Sequence, residues 1–250
     1  MVERFFSIPQ IEQQQQQQPQ ILLLSGPPSS GKSSLLFQFA YNSAFSTTSS
    51  SAVFLCNRRK LDTCPPFLSQ ARTTPLLLYS RLSQSGIDPS SEVFQRIQIK
   101  YVDDDEGIKN YFAAFHLQHP TFPLSVIIDD FADFFDERNC QDKYTNPRGR
   151  DLAMIRVLAL CQNAISRANE AGPCMLLLSD THHGDSPRLL YIYRRWVSSI
   201  YTIKGDGFGS FLLRTSYQSG IAKSAGNRIA KYSIALQYLV LEGIAEDEGQ

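Results

Sequence analysis

The sequence predicts an α/β protein: a mostly parallel central sheet flanked by helices, with antiparallel strands added toward the C-terminus. Three observations carry this expectation. Continuous apolar runs alternate with stretches of helical spacing, the pattern of parallel strands covered on both faces. A glycine-bounded turn, Gly26-Pro-Pro-Ser-Ser-Gly-Lys32-Ser33, separates the first apolar run from the first helical stretch. From Trp196 onward the pattern changes to strands joined by glycine-containing turns, such as Gly205-Asp-Gly-Phe-Gly209.

The elements follow in order. Residues 1–20 hold the glutamine tract Gln13–Gln18 and too little apolar surface to offset ordering entropy, so a flexible tail is expected. Ile21–Ser25 reads as the first strand and 31–45 as the first helix. Ser46–Ser51 is a polar linker, and Ala52–Cys56 a second short strand ending in Asn57-Arg58-Arg59-Lys60. The proline-broken segment 61–91 offers one helix near Leu76–Gln84. Phe94–Val102 alternates as a strand with Ile97, Ile99 and Tyr101 on one face, and 106–117 has near-helical spacing. Leu124-Ser-Val-Ile-Ile-Asp129-Asp130 is a buried strand ending in carboxylates. Asp151–Ala171 is a long amphipathic helix stopped by Gly172-Pro173, and Cys174–Ser179 is another buried strand. Trp196–Ile203, Ser210–Tyr217 and Tyr232–Leu241 read as the antiparallel strands. The folded core is expected over 21–243. The acidic end from Glu242 is expected to fray, with 244–250 as a tail.

Composition narrows the class. With 250 residues and 42% hydrophobic content, one large domain is expected. The formal net charge of +0 conceals an asymmetry. Acidic residues dominate 103–142, whereas 188–231 carries Arg188, Arg194, Arg195, Lys204, Arg214, Lys223, Arg228 and Lys231 against Asp206 alone. An anionic polymer would meet that local basic surface. Five cysteines without a C-x-x-C pair suggest neither disulfides nor zinc, which favours a reducing compartment. No apolar run approaches the roughly 20 residues that span a bilayer, so no membrane contact is expected.

The turn at 26–33 fits G-x-x-x-x-G-K-[ST], the phosphate-binding loop of nucleoside triphosphatases. Gly26 and Gly31 let backbone N–H groups face a phosphate, with Pro27, Pro28, Ser29 and Ser30 between them and Ser34 just beyond. The helix that follows aims its positive end at the same point. Lys32 would reach the terminal phosphates of ATP, and Ser33 would ligate Mg²⁺. Asp129, closing an apolar strand, is expected to hold the magnesium water shell. Lys32 and Asp129 are therefore the candidate catalytic pair, and Ser33 with Asp129 the candidate metal ligands. A strand-end turn is the plain alternative for Asp129, and Asp130 either orients water or caps that turn.

The order of these elements, from the phosphate loop through Ala52–Arg58, Val126–Asp129, Arg148-Gly-Arg150, the long helix and Cys174–Thr181, resembles the core of RecA-type recombinases. More narrowly, Ala52-Val-Phe-Leu-Cys-Asn-Arg-Arg59 and Phe94-Gln-Arg-Ile-Gln-Ile-Lys-Tyr101 resemble the short recombinase paralogues known as SWIM-domain-associated ATPases. The resemblance implies a RecA-like core, ATP with magnesium and single-stranded DNA as ligands, and a zinc-binding SWIM-domain partner. It also implies a role in homologous recombination in the nucleus. Two DNA-facing loops would correspond to 136–150, with Lys143, Arg148 and Arg150, and to 182–195, with Arg188, Arg194 and Arg195. Tyr191, Tyr193 and Trp196 would stack on bases or else pack in the core.

The sequence also departs from that family. Arg58 stands where full recombinases carry a water-polarising glutamate, and Thr181 where they carry a phosphate-sensing glutamine. A lost general base implies slow turnover, since such a group contributes typically ~10²–10⁴-fold. Arg58 would touch phosphate or DNA, or only solvent. A nucleotide or small-molecule kinase and an ATP-binding scaffold without hydrolysis remain alternative readings. Phe37-Gln-Phe-Ala40 matches the F-x-x-A pattern of recombinase-docking segments, though core packing is the favoured reading. His182-His183 lacks the companions of a metal site.

Overall fold

The computed structural model describes residues 2–6, 20–67, 91–118, 121–136, 146–184, 189–218, 228–235 and 238–246. The helix expected near Leu76–Gln84, together with Lys143 and Arg188, lies outside these residues. Among the described residues one nine-stranded sheet organises the chain. Its strands are β1 (Gln20–Gly26), β2 (Ala52–Cys56), β3 (Ile97–Tyr101), β4 (Ser125–Ile128), β5 (Met175–Thr181), β6 (Ser199–Gly205), β7 (Ser210–Gln218), β8 (Arg228–Ala235) and β9 (Tyr238–Glu246). Their order is β3-β2-β4-β5-β1-β6-β7-β8-β9. Pairing is parallel from β3 through β6 and antiparallel from β6 through β9. The mostly parallel sheet with antiparallel C-terminal strands is as expected. Strand β6, expected among the antiparallel strands, instead runs parallel to β1, and only its β7 side is antiparallel.

The helices are α1 (Lys32–Phe45), α2 (Arg58–Thr63), α3 (Asp105–Ala113), α4 (Phe115–Gln118), α5 (Pro147–Ala171) and α6 (Leu190–Trp196). Because strand side chains alternate, the apolar runs feed two cores at once. Ile21, Leu23, Val126, Ile128, Leu176 and Leu178 face α3 and α5. Leu22, Leu24, Phe54, Ile127 and Leu177 face α1. Phe37 and Ala40 belong to that second packing, with Phe37 against Phe54 and Phe94, so the F-x-x-A match is a core feature.

Several boundaries differ from the sequence expectation for identifiable reasons. Helix α5 begins four residues early because Asn146 accepts from Gly149 N at 2.7 Å and Pro147 fills the first helical position. The helical stretch 106–117 is broken at Ala114 into α3 and α4. At the sheet edge Ile97 is buried, but Ile99 and Tyr101 are exposed. The single strand expected over Tyr232–Leu241 is two antiparallel strands, β8 and β9; without a glycine or proline between Ala235 and Tyr238, nothing in the sequence marks the reversal. Strand β9 continues to Glu246, so the acidic end is ordered further than expected. Among the described residues no helix is long and apolar enough to cross a membrane.

Residues 2–6 are part of the fold and not of a flexible tail. Val2–Phe5 forms a 3-10 helix whose Phe5 packs against Phe39 and Tyr201, each at 5.4 Å between ring centroids. Asn42 Nδ2 donates to Arg4 O at 2.9 Å, and Phe6 lies against Tyr232. Replacing Phe5 by alanine is expected to cost about 3 kcal/mol, the usual cost for a buried aromatic. Urea unfolding measures it, and an unchanged midpoint would show that the segment contributes nothing.

Candidate functional site

The site begins where β1 ends. Gly26 must be glycine for space, since a Cβ there would lie 2.9 Å from both Ile203 Cβ and Ser30 Oγ. Ser29 (φ 59°) and Gly31 (φ 78°) are left-handed, the kind of backbone in which successive N–H groups line one concavity. Pro28 and Ser29 are exposed, whereas Ser30 is buried and donates to Pro27 O at 2.8 Å. Tyr232 OH, from the antiparallel extension, donates to Ser30 O at 2.7 Å and braces the turn from the far side. Lys32 Nζ folds back to donate to Gly26 O (3.3 Å) and Pro27 O (3.0 Å). The Ser34 hydroxyl is engaged from outside the turn, accepting from Phe67 N at 2.9 Å.

Asp129 follows β4 and meets this turn across an intervening strand. Strand β4 does not neighbour β1, because β5 lies between them. Ser33 Oγ donates to Asp129 Oδ2 at 2.7 Å, and Ser179 Oγ of β5 donates to Asp129 Oδ1 at 2.9 Å. The Ser179 hydroxyl also accepts from Asp130 N at 2.7 Å, so one β5 residue sets both carboxylates. Asp130 is left-handed (φ 50°), and its Oδ1 accepts from Thr181 Oγ1 at 2.8 Å. Thr181 pairs with Gly26 in the sheet and His182 N donates to Gly26 O, so the end of β5 ties the acid pair to the turn.

Of the readings of Arg58 at the end of β2, the solvent-facing one is the one seen, and a different cation reaches the acid pair. Arg58 points to solvent, pairs loosely with Asp62 at 3.8 Å and lies over the Tyr101 ring. Lys60, two residues on, reaches the acid pair: its Nζ lies 3.2 Å from Asp129 Oδ2 and donates to Asp130 Oδ2. Asn57 caps α2 by accepting from Arg59 N, and the helical turn aims Lys60 inward. The Asn-Arg-Arg-Lys run was visible in the sequence, but an extended reading of it hides which cation turns in.

Electrostatics follow from this packing. Burial pushes the Lys60 ammonium down, but Asp129 and Asp130 outweigh it and hold it above its ordinary range. Burial likewise opposes ionisation of Asp130, and the Lys60 and Lys32 charges override it, leaving the carboxyl below the usual range. Lys32 is lowered, mainly by burial, with Asp130 opposing and Lys60 adding to the fall. Beside the acid pair opens a cavity of about 910 Å³, lined by Arg59, Lys60, Asp103, Asp104 and Asp133 among others. Partial burial and the neighbouring Asp130 push the Asp133 carboxyl up to about 6.

The two stretches expected to face DNA meet, but neither is wholly a loop. Exposed Arg148 and half-buried Arg150 sit in the first turn of α5. Exposed Arg194 and Arg195 close α6, where a loop was expected. Tyr191 OH donates to Asp151 Oδ2 and joins α6 to the start of α5. The Arg194 guanidinium lies over Tyr217 at 5.6 Å. Tyr193 is fully buried and half-buried Trp196 packs against the core, so of the three aromatics Tyr191 is the most exposed. The buried His182 ring is 2.6 Å from Ser25 Oγ through Nδ1, while His183 is exposed. No metal-holding group of three or more His, Cys, Asp or Glu occurs among the described residues. A scan against protein-family models and a search of curated proteins each find no match for this chain.

Proposed function

We infer that this chain binds ATP with magnesium on a RecA-type core and hydrolyses it slowly. The observation that carries the reading is the Ser33 hydroxyl meeting Asp129 Oδ2 at 2.7 Å across a strand that belongs to neither. Hydroxyl and carboxylate are the hard-oxygen donors that suit magnesium. The left-handed backbone at Ser29 and Gly31 beside them is of the kind that lines an anion-binding concavity with N–H groups. These residues fit a magnesium-bound triphosphate: Lys32 would contact its phosphates, and Ser33 and Asp129 would hold the ion. Bound magnesium would offset phosphate charge as a Lewis acid.

Slow turnover follows from the chain's own groups. Arg58 is directed away from the acid pair, and Asp130 is held ionised by two lysines, which makes it a weak base. The basic surface of Arg148, Arg150, Arg194 and Arg195 supports single-stranded DNA as the polymer ligand, each phosphate contact adding ~0.7 to the salt slope. The family resemblance extends the proposal to homologous recombination repair in the nucleus beside a SWIM-domain protein.

Phosphate release with and without single-stranded DNA, in wild type and Lys32→Ala, tests the reading. DNA-stimulated release that Lys32→Ala abolishes is expected. Phosphate transfer to a small acceptor would identify a kinase instead, and DNA binding without any turnover would identify an ATP-binding scaffold.

A further inference from the structure

The acid pair already holds a cation, and that cation belongs to the chain. An ionised carboxylate offers about four lone-pair sites, two on each oxygen. At Asp129 Oδ2 both are engaged, by Ser33 Oγ at 2.7 Å and by Lys60 Nζ at 3.2 Å. Asp129 Oδ1 accepts from Ser179, and Asp130 accepts from Thr181 on Oδ1 and Lys60 on Oδ2. Ser33 and Asp129 are the residues that would hold magnesium, so ion and ammonium draw on one oxygen.

Lys60 is also placed to meet an anion. Its side chain is 31% exposed, on a flexible stem at the edge of the cavity beside the acid pair. Lys32 lies close enough for the two ammoniums to repel one another. A polyphosphate that met both ammoniums would offset that repulsion, and lysine serves phosphate as a compact point charge.

We propose that Lys60 is a resident counter-ion that competes with magnesium for Asp129 and lets the chain hold a nucleoside triphosphate with little need of a divalent ion. The proposal rests on the nucleotide reading of the site. A lysine that merely neutralised two buried acids would affect stability but not the metal dependence of binding.

The test titrates a fluorescent ATP analogue into wild type, Lys60→Met and Lys32→Ala, with excess Mg²⁺ and again in EDTA. Wild-type affinity is expected to change by less than about threefold between the two conditions, and Lys60→Met to lose about tenfold or more in EDTA. Without nucleotide, Mn²⁺ binding followed by electron paramagnetic resonance is expected to tighten about tenfold or more in Lys60→Met. Lys60→Gln, uncharged but polar, should behave the same way and serves if the Met variant fails to fold. A wild type as metal-dependent as Lys60→Met, or Mn²⁺ affinity unchanged by the substitution, overturns the proposal. Wild type that binds no analogue even with Mg²⁺ overturns the nucleotide reading itself, while the Mn²⁺ result still reports the competition.

Discussion

Gly31→Val is expected to weaken ATP binding by about tenfold or more and to destabilise the fold by about 2–3 kcal/mol. The backbone at Gly31 is left-handed (φ 78°), where a β-branched residue is strained whatever space surrounds it. Its new Cβ would also lie 2.7 Å from Ile234 Cδ1. The end of the isoleucine can swing aside, but the backbone strain has no such release. Turning the peptide to relieve it would misdirect the N–H groups proposed to meet phosphate and shift the start of α1. Gly172→Ala is the control: its extended backbone suits any residue, and a Cβ there meets nothing within 4 Å. Equilibrium binding and urea unfolding of both variants separate the site effect from a general loss of glycine. Gly31→Val with wild-type affinity would show that this turn does not cradle phosphate.

Asp129→Asn is expected to reduce ATP turnover by about 10²-fold or more, because the proposed magnesium site would lose both its position and the charge that would hold it. The asparagine oxygen can keep the Ser179 hydrogen bond. Its amide would face the Ser33 hydroxyl and the Lys60 ammonium, setting donor against donor where Oδ2 now accepts both. Stability should fall by only about 1–2 kcal/mol, since Asp130 still neutralises Lys60 and the two carboxylates no longer repel. Phosphate release and unfolding measured on the same preparation give both numbers. Unchanged turnover would reduce Asp129 to a strand-end residue.

The glycine-bounded turn at 26–31 and the β4 carboxylates were legible because each is a local pattern: a glycine spacing, or an apolar run with acids at its end. The alternation of apolar strands and helices was legible for the same reason. Contacts assembled across the sheet were not. Nothing near Ser179 or Thr181 marks them as the residues that set Asp129 and Asp130, since their role arises from β5 lying between β4 and β1. Lys60 was hidden by the change from strand to helix at Asn57, which rotates the following cations. Helix α6 differs from expectation because the family resemblance places 182–195 in a loop and the aromatic-rich Leu190-Tyr-Ile-Tyr-Arg-Arg-Trp196 has little helical signal of its own; burial of Ile192 and Tyr193 against the core sets it. The buried face of residues 2–6 has no local signature for a related reason, as its partners Phe39, Tyr201 and Tyr232 are distant in sequence.

Lys32 carries the account's central claim, because its ammonium now folds onto Gly26 and Pro27 carbonyls in the turn where phosphate would lie. Calorimetric titration of ATP with magnesium into wild type and Lys32→Ala is the direct measurement. Saturable one-site binding in wild type, weakened about a hundredfold or more in the variant, is the predicted result. Equal affinity in the two proteins, or no binding heat in wild type across calorimetry at several temperatures, would contradict it.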